Sequence, residues 1–199
     1  MGYYCPTGSE APTACPSGYY LSSTGNSHQS SCIICDEGTY CSSEGLPYPD
    51  DNCTQGYYCP AGQVTPTPDN YTCPLGYFCG YGFAVPEPCP SGTYQDTQGK
   101  WFCKTCEEGF YCNATFGPVV WYGQTICPEG YYCPNGTEYD TQYPCPRGTF
   151  NNRTGEGRLH PSARVRQQKS DTYFLKGSVV ESTNLSFADS STVQILRKS

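Results

Sequence analysis

The stretch Cys73-Pro74-Leu75-Gly76-Tyr77-Phe78-Cys79 decides how this chain is read, because variants of it recur throughout. Copies of the seven places begin at Cys15, Cys35, Cys53, Cys73, Cys89, Cys106, Cys127 and Cys145, and successive starts lie 16 to 21 residues apart. Gly holds place four and an aromatic holds place six in all eight copies, while Pro holds place two in five. Gly2-Tyr3-Tyr4-Cys5 is the back half of a further copy within 1–14. A fixed short period marks an array of small modules, each too small to bury its hydrophobic face alone.

Each place has a physical reason. Cys-Pro-x-Gly suits a type I turn with Pro second and Gly fourth. The Tyr, Phe and Thr that follow suit a short strand. Strand alternation sends place six to one side, so Tyr20, Tyr40, Tyr58, Phe78, Tyr94, Tyr111, Tyr132 and Phe150 are expected to form the small core of each module. Their place-five neighbours then face the next module or solvent. The expected fold class is small, disulfide-rich and all-β, an elongated rod of tandem repeats of about 18 residues with little or no helix, its modules leaning on one another through tyrosines.

Composition agrees. Leu, Ile, Val and Phe together number 27 of 199 residues. That is below the roughly 20% at which ordinary core-building becomes doubtful, so a large enzyme built on a single core is excluded. The 16 Cys and 19 Tyr argue against disorder and for a stapled scaffold. All 16 Cys lie between Cys5 and Cys145. Residues 1–150 carry 3 basic and 14 acidic side chains, net −11, whereas 151–199 carry 8 basic and 4 acidic, net +4. An acidic array is a poor partner for nucleic acid.

An even, regularly spaced Cys set implies an oxidising compartment. Sequons at Asn52, Asn70, Asn113, Asn135, Asn152 and Asn184 imply N-linked glycans on turns between strands, Asn184 less firmly than the others. Thr65-Pro66-Thr67-Pro68 is a rigid connector that O-glycans near Thr65 and Thr67 would also suit. There is no basic and apolar leader after Met1 and no run of 18 apolar residues, so no membrane span. With the array broken off at both ends, the expectation is a piece of a longer extracellular or cell-surface protein.

The second Cys takes one of two positions. It stands six residues after the first at Cys41, Cys59, Cys79, Cys112 and Cys133. In the longer type it stands at Cys32 or Cys103 and leads by Cys-x-x-Cys into the next module. Cys145 opens a long-type module whose second Cys is expected near residues 159–164, where the chain has none. A natural boundary, a point change and an upstream frame error would each produce this. The repeats thus occupy 1–154, and 155–199 is a Cys-free tail with strand-like stretches at 172–175, 178–181 and 192–196.

The Cys-Pro-x-Gly-Thr-Tyr motif followed by Cys-x-x-Cys, clearest at 15–35 and 89–106, resembles ephrin-receptor-like cysteine-rich repeats and the first half of tumour-necrosis-factor-receptor modules. The short Cys-x-x-Gly-Tyr-Tyr-Cys form resembles repeat arrays on surface proteins of single-celled eukaryotes. The resemblance implies a rod of tiny β-modules, each with its own bridge, and implies no particular ligand. Two pairing frames fit the spacing. One pairs 15–32, 35–41, 53–59, 73–79, 89–103, 106–112 and 127–133, leaving Cys5 and Cys145 as truncated-module cysteines. The other joins each module to the next and leaves no orphan, but needs two strained Cys-x-x-Cys bridges. The resemblance and the strain favour the first.

Other chemistry finds little support. Cys32-x-x-Cys35 and Cys103-x-x-Cys106 lack a His at zinc-site spacing and a helical context for redox work. His28 lies in a Ser-rich loop, and Asp50-Asp51 and Glu107-Glu108 read as solvated turn acids without calcium-loop spacing. No catalytic residue, metal ligand or cofactor is expected. The expected function is structural, a rod or filament subunit that self-associates head-to-tail or continues within the same longer chain. The alternative is a receptor or adhesion ectodomain binding a protein through exposed Trp101, Trp121 and Tyr122.

Overall fold

The structure is a computed structural model that describes residues 1–161. The tail stretches at 172–175, 178–181 and 192–196, and Asn184, lie outside the described residues.

The repeating turn starts one residue later than its Cys. In every copy the place-five N–H donates to the place-two carbonyl, as in Tyr57→Thr54, Thr93→Pro90 and Tyr131→Pro128. Gly is therefore third in the turn, with φ of 89° at Gly56. A positive φ there is the mark of a type II turn, which explains the invariant glycine; the expected type I turn is corrected accordingly.

The two residues after each turn pair antiparallel with the two before the next module. The hairpins are β1 (Tyr3–Tyr4) with β2 (Thr13–Ala14), β3 (Tyr19–Tyr20) with β4 (Ile33–Ile34), and β5 (Thr39–Tyr40) with β6 (Asp51–Asn52). They continue as β7 (Tyr77–Phe78) with β8 (Glu87–Pro88), β9 (Thr93–Tyr94) with β10 (Lys104–Thr105), and β11 (Thr149–Phe150) with β12 (His160–Pro161). Single bridges Tyr57↔Thr72, Phe110↔Ile126 and Tyr131↔Pro144 hold the same place in the other modules. Two 3₁₀ turns, Gln29–Ser31 and Asp69–Tyr71, are the helical residues among those described. β12 carries the last module to Pro161, past the boundary at 154 that the cysteine pattern sets.

Seven disulfides lie within modules: Cys15–Cys32, Cys35–Cys41, Cys53–Cys59, Cys73–Cys79, Cys89–Cys103, Cys106–Cys112 and Cys127–Cys133. Cys5 and Cys145 are free. Place seven unifies the two module types. In short modules it holds the second Cys, and in long modules it holds Leu21, Gln95 or Asn151, all buried. Leu159 stands where Cys32 and Cys103 stand, directly before the return strand.

Two-residue hairpins are marginal alone, so the stability must come from stacking. Backbone bonds supply it. At the junction after Gly38, Gly38 N donates to Cys59 O (2.8 Å), Cys41 N to Gln63 O (2.8 Å), Gly62 N to Cys35 O (2.8 Å) and Cys53 N to Gly38 O (2.9 Å). The same set recurs along the array, for example Gly109→Cys133, Cys112→Thr137, Gly136→Cys106 and Cys127→Gly109. The turn glycine also packs against the module after next. A Cβ on Gly56 would lie 2.5 Å from Gly99 O, and one on Gly92 2.5 Å from Gly136 O. Each module thus touches its first and second neighbours, one step further than a simple nearest-neighbour solenoid.

The core differs from expectation. The bridged cysteines other than the half-buried Cys32 and Cys103 are buried, as are the turn glycines from Gly2 to Gly109, whereas of the place-six aromatics only Tyr94 is buried and Phe150 is exposed. A strand two residues long presents its aromatic at the rim of the module, while the bridge and the backbone bonds fill the centre. Tyrosine contacts are secondary to the hydrogen-bonded junctions.

Candidate functional site

The most repeated arrangement in the molecule is the junction itself. It rests on two glycines per module: the turn glycine at place four and a second glycine nine or ten residues after the first Cys. The second set is Gly25, Gly45, Gly62, Gly82, Gly99, Gly136 and Gly155, all with positive φ. Most of their N–H groups bond to the first Cys of the preceding module, as Gly45→Cys15 and Gly155→Cys127 do. The residue that follows accepts from place seven of that module, as Leu46 does from Leu21. Reading the cysteine motif alone missed this set, although its spacing was visible as a second glycine period.

The junction is irregular in the module opened by Cys106, whose start lies 21 residues before the next. The extra residues replace the usual glycine contact, and Gly76 faces Pro118 and Val120 instead. Tyr122 is drawn inward to 9% exposure beside Tyr94, Cys106 and Cys112, with Phe110 and Val119 around it. Its ring meets Tyr94 edge-on at 4.6 Å and Phe110 at 5.0 Å. Burial, then the Glu107 carboxylate and Tyr94, push its hydroxyl well above the usual phenol range. Tyr122 is therefore a packing residue, which corrects its expected place on an exposed surface. Trp121 stacks on it from outside at 64% exposure, and Phe116 is 98% exposed; Trp101, in the preceding module, is 52% exposed against Phe102.

The acidic pairs hold local structure. Asp50 accepts from the backbone and hydroxyl of Ser42, and Asp51 from the N–H of Asn52. That N–H, together with the Tyr81 hydroxyl, holds the Asp51 carboxyl below its usual range. Glu108 meets Arg158, and His160 meets Glu156. His28 is an exposed residue before the first 3₁₀ turn. Among the described residues no group of three or more His, Cys, Asp or Glu could hold a metal ion, and no helix is long and apolar enough to cross a membrane. An open cleft of about 380 Å³ is lined by Pro16, Tyr19, Gln29, Ser30 and Cys32, without a carboxylate, histidine or free thiol.

Asn70, Asn135 and Asn152 are exposed, and Asn113 is half-buried with its side chain accepting from Thr115 N. Asn52 is exposed but lies in β6, and Asn70 lies in a 3₁₀ turn, so not every sequon sits in a turn between strands. Thr67 is exposed and Thr65 half-buried. Cys5 is exposed and Cys145 half-buried. No protein-family model matches the chain, and no curated protein matches it.

Proposed function

We propose that the chain is a structural segment of a secreted or cell-surface glycoprotein, acting as a rod or as the subunit of a filament. The observation that carries this reading is the repeated junction, in which backbone bonds between modules, and a bridge within seven of them, make one continuous stack. Among the described residues no hydrogen bond or ion pair joins positions more than 50 apart, the separation of Arg158 and Glu108. Load along such a stack is shared by many short equivalent contacts, each near a covalent staple that resists reduction only in an oxidising setting. N-linked glycans on the exposed asparagines would coat the rod and limit lateral association. Immunolabelling of the native material under the electron microscope tests the reading: label is expected along continuous fibres or stalks. Label confined to a dispersed soluble monomer would refute it.

A second reading, a receptor or adhesion ectodomain, draws on the exposed Trp101, Phe116 and Trp121 around the irregular module. Capture of a soluble protein ligand by the monomer, lost on Trp121→Ala, would establish it in place of the first.

A further inference from the structure

The insertion in the module opened by Cys106 is a short flap held at two points. At its start, Ala114 N donates to Ser91 Oγ in the preceding module (3.0 Å). At its end, Pro118 and Val120 face Gly76. Between these anchors a turn closes, with Gly117 N donating to Ala114 O (3.2 Å). Phe116 stands in that turn at 98% exposure, the barest large apolar side chain among the described residues.

A phenyl ring left in water adds nothing to the fold, so what shares its turn matters. Asn113-Ala114-Thr115 is a sequon and runs directly into Phe116. Asn113 Oδ1 accepts from Thr115 N (2.9 Å), which fixes the amide within the turn. Asn113 Nδ2, the atom that carries N-linked sugar, has no hydrogen-bond partner among the described residues. The attachment point is thus oriented before any sugar arrives, with a free ring beside it. Asn70 gives the contrast. It is exposed, but the ring next to it, Tyr71, is half-buried and already meets Tyr58 edge-on at 5.3 Å.

We propose that the N-linked glycan of Asn113 lies on the Phe116 ring, its first N-acetylglucosamine stacked on the phenyl face. Attachment is a group transfer from a lipid-diphosphate donor: the Nδ2–C1 bond forms, the C1–O bond to the diphosphate breaks, and Nδ2 gives up one proton. One face of the β-linked sugar presents three axial C–H groups, and these meet the electronegative face of the ring. The sugar is tethered, so stacking is intramolecular and escapes the association entropy that a free ligand loses. The inference rests on the secreted-glycoprotein reading above. It assigns one of those sugars a task, to pin the flap and to cover a ring that the ectodomain reading offers to a protein.

NMR of the secreted full chain, its sugars carbon-13 labelled and trimmed by an endoglycosidase to one N-acetylglucosamine per site, tests it. Thr115→Ala and Thr72→Ala assign the Asn113 and Asn70 signals by deleting them. The ring C–H protons of the Asn113 sugar should lie upfield, shifted by the Phe116 ring current. They should move back in the glycosylated fraction of Phe116→Ala and stay upfield in Phe116→Tyr, while the Asn70 signals hold still in both. Asn113 signals that do not move in Phe116→Ala overturn the proposal. So does a mass map in which Asn70 carries sugar and Asn113 carries none. A sedimentation mass above the monomer that falls on Phe116→Ala would place a second copy of the chain on the ring, and overturns it too. A chain without sugar at any sequon refutes the glycoprotein reading itself, an outcome distinct from a glycosylated Asn113 whose sugar ignores Phe116.

Discussion

Leu159→Cys should close an eighth disulfide, to Cys145. Two observations place residue 159 at the missing second cysteine. Leu159 directly precedes β12, as Cys32 precedes β4 and Cys103 precedes β10. The buried amide at place seven also reaches the carbonyl just before it: Asn151 Nδ2 donates to Arg158 O, as Gln95 Nε2 does to Phe102 O before Cys103. The reference bridge, Cys89–Cys103, spans 14 residues with Cα atoms 5.8 Å apart, and Cys145 to Leu159 is the same span. Closing a loop of that size restricts the unfolded chain by about 3 kcal/mol in the chain-entropy picture. Removing the half-buried Leu159 side chain returns about 1 kcal/mol. The net gain is about 2 kcal/mol over the parent and about 3 kcal/mol over a Leu159→Ser control, which lacks the same side chain, each read as a higher guanidinium midpoint. Thiol titration in denaturant should find two free thiols in the parent, Cys5 and Cys145, and one in the variant. Three free thiols, or a peptide map joining the new sulfur to Cys5, would refute the assignment of this position.

Other outcomes follow from the same geometry. Gly56→Ala, which puts a Cβ 2.5 Å from Gly99 O at a φ of 89°, should cost about 3 kcal/mol or more, whereas Gly25→Ala, open to solvent, should cost only the backbone term of about 1–2 kcal/mol; paired denaturation curves compare them. Asn151→Gln should gain about 1 kcal/mol by chemical denaturation, because Asn151 leaves its buried Oδ1 without a partner, while the longer Gln95 accepts from Thr97 N. Tyr122 should titrate last among the tyrosines in an ultraviolet pH titration. Its folded value is raised, so its contribution to stability is complete below the ordinary tyrosine range and is lost as pH rises through and above it; Tyr122→Phe should flatten that alkaline loss. Enzymatic deglycosylation of the secreted protein should lower its mass, and an unchanged mass would remove the main support for N-linked sugar on Asn52, Asn70, Asn113, Asn135 and Asn152.

The repeat, the module count and the all-β class were legible in the sequence, because the glycine at place four is required by a local turn and the cysteines by a local bridge. Even there, which residue began the turn was not, since Cys-Pro-x-Gly satisfies two turn registers and only the Gly56 φ separates them. Cysteine spacing also left two bridging frames open, and the backbone, by bringing Cys89 beside Cys103, admits one. The burial of Tyr122 and exposure of Trp121 were beyond reach: adjacent aromatics in an insertion look alike until the Tyr94 and Phe110 rings define an inside. The same is true of place seven, where Cys59, Leu21, Gln95 and Asn151 share one seat although nothing in their chemistry relates them. That seat is defined by a neighbour's N–H and carbonyl, groups that every residue carries and that no side-chain pattern reports.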